Sequence, residues 1–224
     1  MMVCVAAIAM AAYSQTVGSK KVMLETTKGN ILLGLYEETP LHRDNFLKMV
    51  RLKVYDSLLF HRVIADFMIQ AGDPKSKYAL PGEELGSGDF DYTVPAEIRL
   101  PNIYHKRGAL AMAREGEDVN PTMASSACQF YIVWGKTFST AGIEAQQERL
   151  DTLYGGVTLT PEMIETYRWV GGVPHLDGGY TVFGEVIEGL DVVEQIEKAD
   201  TDDNDRPVWD IRILRATIVD DEEQ

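Results

Sequence analysis

The sequence predicts a mainly β domain, a closed barrel of antiparallel strands accompanied by two helices and interrupted by a helical insertion. Three observations predict it. Short runs rich in β-branched and aromatic residues recur along the chain, separated by glycine- and proline-containing turns. Outside residues 138–173, only two stretches carry apolar residues at helical spacing. Residues 138–173 differ in character, with two helical patterns each ended by a Gly-Gly pair, Gly155-Gly156 and Gly171-Gly172. At 224 residues, with 45% apolar and 25% charged, the chain suits one sizeable core rather than two.

"KKVMLETTKGNILLGLY" reads as a hairpin turning at Lys28-Gly29. Thr39-Pro40 then offers an N-cap followed by proline at the first helical position. Leu41, Phe46, Leu47 and Val50 continue a helix to about Lys53. Residues 58–70 form two short strands broken at Ala65-Asp66, and a Gly/Pro-rich surface loop follows. Strand-like runs return at 93–98, 108–113, 128–134 and 180–186. Leu190, Val193 and Ile196 mark a second helix, and "PVWDIRILRATIV" closes the chain as an alternating strand. Mostly antiparallel strands with two helices are what a closed barrel requires.

Composition excludes several function classes. Lys and Arg number 21 against 35 Asp and Glu, a formal charge of -14, and no long basic run could gather phosphates. Nucleic acid is therefore not an expected partner. Residues 1–14 read as a secretory signal, apolar from 3 to 12 and ending in small residues, so export to a periplasmic or other extracytoplasmic location is expected. If the segment is not a signal, the protein is cytoplasmic. The apolar run is about half the roughly 20 residues of a spanning helix, so no permanent membrane span is expected. Should Cys4 leave with the signal, Cys128 is the sole cysteine and no internal disulfide can form.

Four constellations compete for the chemistry. His42, His61, His105 and His175 never pair at i,i+3 or i,i+4, so no metal site is expected. "DTDDND", residues 200–205, mimics the start of a calcium loop. Arg206 stands where the turn glycine belongs, however, and Ile211 where the bidentate glutamate belongs, so a solvated loop is the reading. Cys128 could be a hydrolase nucleophile with a histidine base, but a cysteine entering a strand is more often a small core residue. The fourth is "FHRVIADFMIQAGD", residues 60–73, a charged arginine in an apolar segment. Alternation places Phe60, Arg62 and Ile64 on one strand face, Phe67 and Ile69 on one face, and Met68 and Gln70 on the other. Spacing alone favours an arginine whose stem packs while its head reaches water.

"FHRVIADFMIQAGDP", "GALAMAR", "CQFYIV" and "LDGGYTVFGEVIEGLDVV", in this order, resemble the cyclophilin family of peptidyl-prolyl cis-trans isomerases. The resemblance spans about residues 22–218 apart from the insertion, within a domain read as 20–220. It implies an eight-stranded antiparallel barrel capped by two helices that acts on proline-containing polypeptides; no cofactor and a monomeric state are the accompanying expectations. It makes Arg62 the catalytic arginine and Gln70 its glutamine partner. Phe67, Met68 and Leu176 would line the proline pocket, while Ala113 and Gln129 fall on positions that bind the peptide backbone and flank the pocket. Tyr131 stands where phenylalanine is commonest and adds a hydroxyl at the pocket edge. Arg114 replaces an asparagine whose backbone contacts peptide, His175 replaces the tryptophan that favours cyclosporin, and Tyr180 replaces a nearby histidine. The alternative is a non-catalytic module that binds proline peptides as a chaperone or scaffold.

Such an isomerase breaks no bond. An X-Pro bond turns over in roughly 10 to 100 s unaided because of its partial double-bond character. Twisting it gives the prolyl nitrogen a lone pair that the planar ground state lacks. A guanidinium aimed at that nitrogen binds the transition state better than the substrate.

Overall fold

The structure, a computed structural model, describes residues 17–220; the signal expected at 1–14 lies outside them. Eight strands run in chain order: β1 (Val17–Thr26), β2 (Gly29–Tyr36), β3 (Phe60–Ile64), β4 (Met68–Ala71), β5 (Ala109–Met112), β6 (Phe130–Val133), β7 (Val182–Glu188) and β8 (Ile213–Asp220). Every pairing among them is antiparallel, in the order β3-β4-β6-β5-β7-β2-β1-β8. Four helices accompany them: α1 (Pro40–Arg51), α2 (Thr140–Leu153), α3 (Pro161–Trp169) and α4 (Leu190–Glu197).

The sheet curls strongly around one apolar core. Val22 pairs with Leu33 and Ile218, and Leu24 with Ile31 and Ala216, so alternate residues of three strands point the same way into it. Phe46, Leu47, Met49 and Val50 of α1 and Val192, Val193 and Ile196 of α4 complete that core. The ring of Phe46 lies 4.9 Å from Tyr55 and 5.3 Å from both Phe130 and Phe183, centroid to centroid, joining helix, loop and strands in one aromatic cluster.

Three expectations need correction. First, the curl is open rather than a closed barrel. Edge strands β3 and β8 are joined by one isolated bridge, Leu59 to Arg212. The acidic turn before β8 lies along β3 instead, where Val63 N–H donates to Asp205 O at 2.8 Å. Residues 208–212, expected in the last strand, thus precede it. Second, 93–98 is no strand. Pro95 lacks a donor, Val94 makes a lone bridge to Ser125, and Glu97 N–H turns away to Thr181 Oγ1 at 2.9 Å. Third, a register shift between Phe60 and Arg62 breaks the alternation. Phe60 joins Val63 in the main core while Arg62 stays outside it.

The start of α1 also differs from its sequence signature. Thr39 occupies the N-cap but makes no capping bond, and its buried hydroxyl has no partner among the described residues. The Glu97 carboxylate does the capping from afar, accepting from Leu41 N–H at 3.2 Å and His42 N–H at 2.9 Å. It also accepts from His42 Nδ1 at 2.8 Å, and His42 Nε2 meets Ser125 Oγ at 2.8 Å. That Glu-His-Ser array has the outline of a nucleophilic triad, yet all three residues are buried, so its work is to fix α1.

The insertion folds as the sequence predicts. Ser139 and Thr160 cap α2 and α3 by accepting from Gly142 and Met163 N–H. Ile143, Leu150, Leu159, Met163 and Tyr167 build a small core against Tyr104. Its exit needs a glycine. At Gly172, with φ +150, a side chain would run into the His105 carbonyl and the Tyr167 ring.

Candidate active site

The register of the sheet assembles the site. Across β3, β4, β6 and β5, Arg62 pairs with Gln70, Gln70 with Tyr131, and Tyr131 with Ala111. One row of residues therefore faces away from the main core and towards a second apolar cluster containing Met68, Ala111, Tyr131, Val133 and Val182. Phe67 joins this side. It lies in the turn before β4, where strand alternation does not apply, and so departs from Ile69, which is in the main core.

A cavity of about 170 Å³ opens on this face. Arg62, Gln70 and Arg114 supply its polar rim; Phe67, Met68, Ala113, Tyr131, Leu176 and Tyr180 supply the rest. Of the residues expected from sequence, only Gln129 and His175 stand aside. Gln129 borders an adjoining cavity that shares Gln70, Ala113 and Arg114, and His175 stacks on Phe67 at 5.7 Å in a cavity reaching the insertion. Burial, reinforced by Arg149, pushes His175 down to about 4, so the ring is neutral at physiological pH.

The polar groups are held by specific partners. Gln129 donates through Nε2 to the Gly86 carbonyl at 2.9 Å and the Gly88 carbonyl at 2.8 Å. Its oxygen must then face Gln70, whose Nε2 donates to it at 3.0 Å. Gln70 Oε1 is left without a partner among the described residues. The Arg62 Nε lies 3.4 Å from Asp205 Oδ2, a loose pairing with both side chains nearly half exposed, and among the described residues no hydrogen bond engages the rest of its guanidinium.

Arg114 is a wall rather than a free cation. Its side chain is 1% exposed, stacks over Tyr180 at 4.4 Å and donates to Gly179 O at 2.6 Å, Glu115 O at 2.8 Å and Glu117 Oε1 at 2.8 Å. Its own backbone N–H and C=O have no backbone partner among the described residues. The backbone of Ala113, a position expected to bind the peptide backbone, is itself engaged at both groups: its N–H donates to Gln129 O and its C=O accepts from Ser126 N–H.

The Cys128 chemistry loses its footing here. Cys128 is fully buried, and burial beside Asp89 pushes its thiol far above the usual range, opposite to what a nucleophile needs. Among the described residues no group of His, Cys, Asp and Glu could hold a metal ion. Turn 200–205 binds itself, Asp202 Oδ1 accepting from Asn204 and Arg206 N–H. No described helix is long and apolar enough to cross a membrane.

Sequence reasoning missed Asp205, His105, Asp177 and Tyr167. Asp177 stood in the quoted LDGG block but carried no expectation, and His105 was weighed only, with the other histidines, as a metal ligand or as a base for Cys128. Tyr131 Oη lies 3.0 Å from His105 Nε2, His105 Nδ1 lies 2.8 Å from Asp177 Oδ1, and Tyr167 Oη lies 2.5 Å from Asp177 Oδ2. All four residues are buried.

The curled antiparallel sheet thus sets an arginine and a glutamine beside an apolar cavity. The sequence model described as "Cyclophilin type peptidyl-prolyl cis-trans isomerase/CLD" matches residues 21–218, and the chain belongs to the cyclophilin family. A protein of Staphylococcus aureus (strain USA300) named "Putative peptidyl-prolyl cis-trans isomerase" is 34% identical over 197 residues, covering 88% of this chain and 90% of that protein. A Staphylococcus epidermidis protein of the same name is 34% identical over 194 residues, covering 86% and 88%. A crystal structure of a Cryptosporidium parvum cyclophilin type peptidyl-prolyl cis-trans isomerase shares the fold, with TM-score 0.62 and 24% identity over 90% of this chain and 98% of that one. The protein is a peptidyl-prolyl cis-trans isomerase of the cyclophilin type.

Proposed function

We propose that Arg62 is the catalytic residue, that Gln70 orients the substrate, and that the proline ring sits among Phe67, Met68, Tyr131 and Leu176. One observation carries this reading: the sheet register sets Arg62, Gln70 and Tyr131 in a single row bordering the cavity. Gln70 Oε1 accepts a peptide N–H, and the unpaired backbone groups of Arg114 hold the adjoining peptide unit. Arg62 donates to the prolyl nitrogen as the bond twists and that nitrogen gains its lone pair. His175 borders the substrate path rather than the proline pocket itself.

Magnitudes divide the work. A roughly ten-thousandfold acceleration requires about 5.5 kcal/mol. A charge-assisted hydrogen bond contributes about 1.5 to 3 kcal/mol. The remainder falls to the apolar pocket, which holds the proline ring while the other side of the bond rotates and which excludes water. In a coupled proline-peptide assay, Arg62→Ala should lower kcat/KM by roughly 10- to 150-fold; unchanged turnover would overturn the assignment.

The apolar segment 3–12 supports the further reading that the substrates are polypeptides folding outside the cytoplasm. Fractionating cells that express the full chain, with detection of a shortened N-terminus, tests it. Recovery of the intact chain in the cytoplasm would contradict it.

A further inference from the structure

We propose that Tyr167 of the insertion is a positioning residue for isomerisation, acting on the Tyr131 ring through Asp177 and His105. The inference rests on the assignment of Tyr131 to the proline pocket.

With a neutral His105 ring, the four groups admit one proton arrangement. The Asp177 carboxylate accepts only, so Tyr167 O–H donates to Oδ2 and His105 Nδ1–H to Oδ1. His105 Nε2 is then an acceptor, and Tyr131 O–H donates to it. Burial raises both phenols well above their usual range, so each keeps the proton this arrangement requires. The His105 backbone N–H adds a further bond to Asp177 Oδ1 at 2.9 Å.

The chain of bonds runs from the pocket to a helix that borders no part of it. The Tyr131 ring lines the proline cavity and meets Tyr180 edge-on at 6.2 Å, while its hydroxyl points back to His105, whose ring lies 11° from parallel with it. Asp177 directly follows Leu176, another lining residue. Tyr167 is the only partner of Asp177 Oδ2 among the described residues. Without that hydroxyl a buried carboxylate oxygen is left unpaired, the arrangement a low-dielectric interior tolerates least. The loss is passed to His105, which shares that carboxylate and holds the Tyr131 hydroxyl at the pocket. A phenylalanine at 131 would carry no hydroxyl for His105 to hold, and would be indifferent to α3.

That difference separates positioning from mere docking of the insertion. In a coupled proline-peptide assay, Tyr167→Phe should lower kcat/KM roughly 3- to 10-fold in the native background and change it less than about twofold in a Tyr131→Phe background. Equal losses in the two backgrounds, or no loss in the native one, would overturn the proposal. A second readout needs no substitution: in 15N-histidine-labelled protein, the His105 ring signals should shift as a proline peptide saturates the site, and signals that stay fixed at saturation count against it. Arg62→Ala in the same assay tests the catalytic assignment of the site separately, so an active Arg62→Ala and a failed cycle report different errors.

Discussion

Arg62 and Gln70 stand directly opposite one another on β3 and β4, so the guanidinium and the carboxamide leave the sheet side by side. Gln70 in turn opposes Tyr131 on β6. A one-residue slip of β4 would carry Gln70 into the main core and bring Ile69 out in its place. The site is therefore specified by the same register that buries Ile69, Ile132 and Val63.

Charge alone should not replace that geometry. Lysine offers a compact ammonium in place of a planar fork that reaches past its own Nε contact. We expect Arg62→Lys to lower kcat/KM by roughly tenfold or more in the coupled peptide assay. A lysine variant with full turnover would show that positive charge near the pocket is sufficient.

Gln129 should matter without touching the proline. Its side chain anchors the carbonyls of Gly86 and Gly88 and fixes the orientation of Gln70. Removing it in Gln129→Ala frees Gln70 to turn and leaves those carbonyls unpaired. The expected loss in kcat/KM is roughly 5- to 20-fold, accompanied by faster amide exchange in residues 86–88.

Stability should fall on mild acidification, and His61 is a main cause. The residue is 3% exposed, and among the described residues neither ring nitrogen has a hydrogen-bond partner. Burial pushes it down to about 4; Arg62 acts in the same direction, while Asp73, the Leu59 backbone and Gln129 oppose it. Because the folded value lies below the unfolded one of about 6.5, the unfolded chain takes up the proton first. Stability is then full above about pH 6.5 and falls as the pH drops towards 4. Between pH 7 and pH 5 this group accounts for on the order of 2 kcal/mol. Urea midpoints at the two pH values should differ less in His61→Phe than in the native protein.

Glu97 should be a stability residue with no part in turnover. A glutamine keeps one acceptor oxygen where the carboxylate serves Leu41 N–H, His42 N–H and the His42 ring. Glu97→Gln should cost roughly 1 to 3 kcal/mol by urea denaturation, with kcat/KM of the folded protein unchanged.

What could be read from the sequence follows the range of the forces involved. The first hairpin, both capping helices and the two insertion helices are written in local periodicity, turn residues and caps, and they fold where those signals lie. The row Arg62, Gln70 and Tyr131 was reached through motif order rather than spacing, because nothing local reveals which strands pair. The α1 cap shows the limit most clearly. Thr39-Pro40 has the right local form, but the bonding group arrives from Glu97, 55 residues from His42. His105, Asp177 and Tyr167 are likewise scattered across a loop, a turn and an inserted helix, and only the folded chain joins them. Phe60 was misplaced because a bulge leaves no mark in a five-residue strand.

The incomplete seam between β3 and β8 has a consequence for how the molecule behaves in a crowd. Sheets that end in bare strands invite other chains to add on. Here the outer edge of β3 is met by its own chain: Phe60 N–H donates to Ile211 O at 2.9 Å and Val63 N–H to Asp205 O at 2.8 Å, and on the opposite side Ile213 N–H donates to Leu58 O at 2.8 Å. The chain thus occupies the β3 edge with its own backbone and leaves less of a template there for another strand.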